Sequence, residues 1–565
     1  MAFKALLVLV SIALGVSGAP SCSPDFSWEK LAPSKDLVWT ECYDGKECAR
    51  LEVPLDYENP DKTSATIPIV RLRHTSETYR GPILVNPGGP GLSGVDMVVQ
   101  MGDLLAQVVG PEFDVVGFDP RGTARSTPRP APFFTRTEYE LFDPEHGFAS
   151  VNASEDGLAR LWARSTLFGE LAAERDDGSL RFFTTDYTAR DMLRIVQAYG
   201  EEKLQYWGVS YGSLLGQVFS TMFPDKVGRV IIDGIVDADD YFATKWANNL
   251  LVTDKALQAF ADGCVSAGPN DCAFYSPSAS AIISNIDALY ASLHARPIPV
   301  LLPGTNTGGV FTFSNLRYTV LHALYSPYAL VAPLSQGLAE LQNNGDATTL
   351  FSLFIQMQSS VNPTPFEPCG CGDSEAEQQF VSFPEYSLIC NDGERVSPKY
   401  EDMVAFYAEL RQLSSFADVW NEFRARCMAW PDFPKTNFRG PIVANTSFPL
   451  LIIGNTIDPA TSLWAAKKTS KGLSGSVVLT QDSIGHTSIS GASVCTAKYV
   501  REYFFNGTLP PVDTVCPVVT PLFPESAAEA EKQVSLETPE DSELLHAVVE
   551  LATRFVGVGR RRLIL

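Results

Sequence analysis

The sequence predicts an α/β protein: a doubly wound, mostly parallel sheet interrupted by a large inserted helical domain. Three observations carry that expectation. Short apolar segments bounded by turn residues recur without polar alternation, as in strands covered on both faces. Helical stretches lie between them. Strands of the same kind then resume after about 200 residues that are mostly helical and turn-rich.

The first buried segments are PILVNPGG (Pro82–Gly89), FDVVGFDPRG (Phe113–Gly122), LQYWGVS (Leu204–Ser210) and VGRVIIDG (Val227–Gly234). Ahead of the third, TARDMLRIVQAYG (Thr188–Gly200) places Met192, Leu193, Ile195, Val196 and Tyr199 at helical spacing, with Gly200 as a stop signal. FPLLIIGNT (Phe448–Thr456) and SGSVVLTQ (Ser474–Gln481) form the late group. Two strands make too small a sheet alone, so they are expected to complete the first sheet rather than build a tandem domain. The expected division is a signal peptide over 1–18, a first core part over 19–238, an inserted helical cap over 239–437, a second core part over 438–517, and an acidic stretch with a terminal helix over 518–565. In that last segment SELLHAVVELATRFVGVGRRRLIL repeats apolar residues at helical spacing.

A net charge of −23 argues against a nucleic-acid partner, because phosphate binding needs a basic face. The N-terminus, MAFKALLVLVSIALGVSGAPSC, sets one lysine before an apolar run from Ala5 to Val16 and then small residues. That is a secretory signal, with cleavage expected after Gly18 or Ala19. The run is shorter than the ~20 residues of a bilayer span, and no later segment is apolar for long enough, so no stable membrane anchor is expected.

Export agrees with cysteine usage. Of 11 cysteines, sequence neighbours suggest the pairs Cys42–Cys48, Cys264–Cys272, Cys390–Cys427 and Cys495–Cys516, leaving Cys22, Cys369 and Cys371. Cys369-Gly-Cys371 lacks a second Cys/His pair at ligand spacing, so no metal is expected there. No cofactor is expected either. Sequons at Asn152, Asn445 and Asn506 fit a secreted chain and would lie on its surface.

QYWGVSYGSLLG carries Gly208-Val209-Ser210-Tyr211-Gly212 between an apolar strand and a helix-like stretch. In a nucleophile elbow the turn is so tight that side chains at Gly208 and Gly212 would collide with neighbours. The following helix favours negative charge at its N-terminus. A serine hydroxyl needs a base to take its proton. The histidines are His74, His146, His294, His322, His486 and His546; only the last two follow the late strands. His546 falls in the terminal helix, so His486, in DSIGHTSISG, is the expected base. Asp458, just past the strand in LLIIGNTIDPATSLWAA, is the expected acid, which would hold the imidazole by its Nδ1–H. Asp233, at the end of the earlier strand, is the lesser candidate. The loop VNPGGPGLSG after the first buried strand suits an oxyanion hole: Gly88 and Gly89 let the backbone approach, and the Tyr211 N–H would be the second donor.

NPGGPG, FDVVGFDPRGTARS, YWGVSYGSLLGQVFS, the Asp458 strand end, GHTS and ECARLEVPLDYENP together resemble secreted tripeptidyl aminopeptidases and their relatives, the proline iminopeptidase group of α/β hydrolases. The resemblance runs from about Cys42 to Cys516. It implies an α/β-hydrolase core with a helical cap and exopeptidase action at free N-termini. It also implies that acidic residues of the cap hold the substrate's ammonium group. In proline iminopeptidases the oxyanion loop usually begins with histidine, and here Pro87 stands in that position.

The expected function is a secreted serine exopeptidase acting through an acyl-enzyme on Ser210. The alternative is a carboxylesterase or other small ester or amide hydrolase, which would use the same triad. A non-catalytic binding module is disfavoured by the intact Ser210, Asp458 and His486. A histidine base must be neutral, so activity is expected to fall on the acid side.

Overall fold

The computed structural model describes residues 26–143, 149–359, 383–523 and 538–558. The expected signal peptide over 1–18, Cys22, His146, Cys369 and Cys371 lie outside the described residues.

Among the described residues, ten strands form one sheet. They are β1 (Thr40–Cys42), β2 (Lys46–Pro54), β3 (Ser64–Leu72), β4 (Pro82–Asn86), β5 (Asp114–Phe118), β6 (Leu204–Val209), β7 (Val227–Asp233), then, numbering past a separate hairpin β8 (Ile298–Leu301) and β9 (Gly308–Phe311), β10 (Leu451–Ile457), β11 (Val477–Ile484) and β12 (Val515–Pro517). The spatial order is β1-β2-β3-β5-β4-β6-β7-β10-β11-β12. From β5 to β12 every pairing is parallel; β1, β2 and β3 add an antiparallel edge. Every residue of β4 and β5 is buried, which is why their sequences are apolar without alternation. β2 instead alternates between buried and partly exposed positions.

The late strands join the first sheet. β10 pairs with β7 in the register Leu451↔Ile231 and Ile453↔Asp233. Between β7 and β10 the chain is largely helical, with segments that include Thr253–Asp271, Ala279–Ala295, Phe313–Tyr325, Pro327–Asn344, Pro384–Asp392 and Tyr400–Leu413. β8 and β9 are a two-stranded hairpin within this insertion.

The helix read over Thr188–Gly200 runs over Thr185–Ala198, and Gly200 follows at φ 80°. The helix Pro539–Val558 buries Leu544, Leu551 and Phe555 in the same apolar cluster as Met101, Leu105 and Val108 of the helix Gly94–Val109. His546 faces solvent on that terminal helix.

Disulfides join Cys42 to Cys48, Cys264 to Cys272, Cys390 to Cys427 and Cys495 to Cys516. The side chains of Asn152, Asn445 and Asn506 are exposed. No helix among the described residues is long and apolar enough to cross a membrane.

Candidate active site

Ser210 stands at the junction of β6 and the helix Tyr211–Met222, at φ 58° and ψ −124°. A non-glycine residue rarely adopts that conformation, and it persists only where the surroundings enforce it. They do so here: the Ser210 N–H donates to the Asp233 carbonyl at 2.9 Å, and the Ser210 carbonyl accepts from Ser213 N–H at 2.8 Å. A Cβ on Gly208 would lie 2.3 Å from the Gly212 carbonyl oxygen, and one on Gly212 would lie 2.8 Å from that of Asn86. The turn closes only with glycine on both sides of the serine.

The loop after β4 presses on this elbow. A Cβ on Gly88 would come within 2.6 Å of the Val209 carbonyl oxygen and 3.0 Å of the Tyr211 nitrogen. Gly88 donates its own N–H to Asn86 Oδ1 at 2.9 Å, so its contribution is close approach rather than donation. The N–H groups of Gly89 and Tyr211 are among the loop and elbow donors that have no hydrogen bond among the described residues.

His486 follows β11, and its backbone N–H donates to the Tyr325 carbonyl at 2.8 Å. Its Nδ1 lies 3.0 and 3.2 Å from the two oxygens of Asp458 and 3.1 Å from Thr461 Oγ1. Nε2 is buried and makes no hydrogen bond among the described residues. Asp458 also accepts from the N–H groups of Ala460, Thr461 and Thr487 and from the Thr461 hydroxyl. Burial acts to raise its pKa, but the adjacent His486 and these donors outweigh it and hold the carboxyl below its ordinary value.

Asp233, the lesser candidate for the acid, points elsewhere: its carboxylate accepts from the N–H and the hydroxyl of Ser488. Burial pushes it up to about 6, against those two hydrogen bonds. The remaining described histidines lie in other settings. His74 Nδ1 is 2.8 Å from Asp114, His294 is near the Asn152 carbonyl, and His322 stacks on Tyr318.

Ser210, His486, Gly89 and Thr461 line one pocket, closed from the helical insertion by Trp246, Tyr325, Trp420, Phe423 and Glu385. Trp246 and Phe423 stack with ring centroids 4.4 Å apart. Among the described residues, Glu385, buried on the helix Pro384–Asp392, is the one carboxylate of this wall. Sequence reasoning did not single it out, because no spacing or motif separates it from the other acidic residues of the insertion.

Behind the pocket, Thr185 Oγ1 donates to Asp392 and lies 2.6 Å from the Tyr211 hydroxyl, while Tyr241 donates to the same carboxylate. Burial pushes Asp392 up to about 7, against the hydrogen bonds from Thr185.

Known proteins bear on this geometry. Residues 81–271, holding Ser210 and the glycine loop, match the α/β hydrolase fold family, and residues 412–516, holding Asp458 and His486, match the TAP-like protein family. Glu385 lies in neither stretch. The chain is 28% identical over 500 residues to serine protease Hip1 of Mycobacterium tuberculosis, covering 85% of this chain and 91% of that one. It is 28% identical over 516 residues to carboxylesterase B of the same organism, covering 88% and 91%. It is 32% identical over 230 residues to tripeptidyl aminopeptidase of Streptomyces lividans, covering 39% and 40%.

Proposed function

The chain is a TAP-like α/β hydrolase and a peptidase-type serine hydrolase, and from that premise we propose that it is a secreted exopeptidase acting at free N-termini. Ser210 is its nucleophile, His486 its base and Asp458 the acid that orients the imidazole. His486 Nε2 takes the hydroxyl proton as Ser210 Oγ attacks the scissile carbonyl. The N–H groups of Gly89 and Tyr211 receive the oxyanion; losing one such donor usually costs on the order of 3 kcal/mol. The imidazolium then protonates the leaving amine, and water activated by His486 hydrolyses the acyl-enzyme.

One observation carries the exopeptidase reading. Glu385 brings a carboxylate into a pocket lined by four aromatic rings of the insertion, beside the serine and the histidine. An acidic group there pairs with the ammonium of an unblocked N-terminus, which fixes how far that terminus lies from the scissile bond. Export is supported by the four disulfides and the exposed sequon asparagines.

Turnover of peptide amides with free and with acetylated N-termini tests the reading. A strong preference for the free amine is expected; equal rates overturn it. The likeness to carboxylesterase B supports a second reading, a small-ester hydrolase. Fast turnover of neutral esters with no hydrolysis of unblocked peptides would establish that one instead.

A further inference from the structure

The geometry points to Asp233 as a positioning residue that locks the histidine loop to the nucleophile strand, an inference that rests on the proposed triad. Asp233 ends β7, between β6 and β10, opposite Val209 on one side and Ile453 on the other. Its carbonyl accepts the Ser210 N–H at 2.9 Å. Its fully buried carboxylate accepts the Ser488 N–H at 2.9 Å and the Ser488 hydroxyl. Ser488 lies two residues beyond His486. One residue therefore holds the backbone of the nucleophile and the loop of the base.

The loop needs that grip. Thr487, between His486 and Ser488, stands at φ 64°, a conformation unfavourable for a β-branched residue. Such strain survives only where contacts over-determine it. Here two carboxylates hold the turn from either side: Asp458 accepts the Thr487 N–H, and Asp233 accepts Ser488. The packing is equally close. A Cβ on Gly234, the residue after Asp233, would lie 2.7 Å from Thr487 Cγ2.

The two acids divide the work. Asp458 meets Nδ1 and sets the ring's tautomer and rotation. Asp233 never touches the ring; it sets the separation between the loop and β6, on which the Ser210-to-His486 proton transfer depends. Asp458, after β10, is a charged group that opposes its ionisation, and the Trp207 indole N–H nearby falls outside hydrogen-bond geometry. A carboxylate without a cation is costly to bury, so it is held by charge-assisted hydrogen bonds to Ser488.

The test uses the full chain with p-nitrophenyl acetate as substrate, which both hydrolase readings accept, and counts active sites with a fluorophosphonate. Asp233→Ala is expected to lower kcat per titrated site by about 30-fold or more, with KM within about twofold, since misplacing a base by an ångström costs on that order. Asp233→Asn, whose amide can still accept the Ser488 N–H and donate to its hydroxyl, is expected to restore kcat to within about fivefold of wild type. Asp233→Ala with Ser488→Ala should lose no more than Asp233→Ala alone, because both remove one clamp.

Full kcat in Asp233→Ala, a change in KM instead of kcat, or an additive double variant overturns the inference. So does an Asp233→Asn loss as deep as that of Asp458→Asn, which would make Asp233 the triad acid. If Asp233→Ala does not fold, Ser488→Ala decides: a fall in kcat at constant KM supports the clamp, and an unchanged kcat overturns it. Failure of the wild type to react with the fluorophosphonate would overturn the triad reading instead.

Discussion

Tyr211 reaches Asp392 through a single hydroxyl, that of Thr185, which lies 2.6 Å from both side chains. Tyr211 follows the candidate nucleophile, and Asp392 ends the helix whose second residue is Glu385. Buried hydrogen bonds thus tie the side chain of the residue after the candidate nucleophile to the end of the helix that carries Glu385.

That network makes stability depend on pH. Asp392 has a folded pKa of about 7, above the ordinary carboxylate value, because burial disfavours its charge. The folded state therefore holds this proton more tightly than the unfolded chain. The resulting stability is present below pH ~4 and is lost as pH rises toward 7, by up to about 4 kcal/mol. Asp392→Asn removes that slope. Its melting temperature relative to wild type should rise between pH 4 and 7 and then level off; a constant difference across that range would contradict the shift.

The elbow gives a steric prediction. Ala at Gly208 places a methyl 2.3 Å from the Gly212 carbonyl oxygen, a backbone atom that cannot swing aside. Overpacking of this kind costs roughly 1–3 kcal/mol even where side chains can adjust. Gly208→Ala should lower the melting temperature and abolish fluorophosphonate labelling of Ser210 together. A stable variant with wild-type labelling would mean the turn is less tight than described.

Asp458→Asn should fail for two separable reasons. The amide donates to Nδ1 and leaves the wrong nitrogen of His486 protonated, a change that costs about 10⁴ in kcat for triad acids. It also faces the Thr487 N–H with a second donor, leaving a buried group unsatisfied at roughly 1–3 kcal/mol. Kinetics measured with thermal unfolding should show both losses, whereas Thr461→Val should cost stability with a far smaller loss of kcat.

How much of this was legible in the sequence depended on whether a residue's neighbours in the chain are also its neighbours in space. β4 to β7 were readable because burial on both faces leaves continuous apolar runs, and Ser210 because the elbow's glycines are local. β2 left no such signature: in KECARLEVP, apolar and polar residues alternate along an antiparallel edge. Asp233 was legible as a strand-end acid, but not its partner, since Ser488 lies 255 residues away. Glu385 had no local signal at all; only the return of its helix over the pocket distinguishes it from a surface glutamate.

Glu385 supplies the prediction that separates the two hydrolase readings. If its carboxylate receives the substrate ammonium, Glu385→Gln keeps the shape of the wall and removes the charge. The lost ion pair is desolvated inside the pocket, where a charge-assisted hydrogen bond contributes about 1.5–3 kcal/mol, or roughly 10- to 150-fold. That loss should fall on kcat/KM for unblocked peptide amides. Hydrolysis of p-nitrophenyl acetate, which carries no ammonium, should change by less than about threefold, because Ser210, His486 and Asp458 are untouched. Parallel measurement of both substrates on the same titrated enzyme checks this. Equal losses on the two would show that Glu385 supports the pocket's structure instead, and no loss on either would mean that Glu385 does not receive the ammonium.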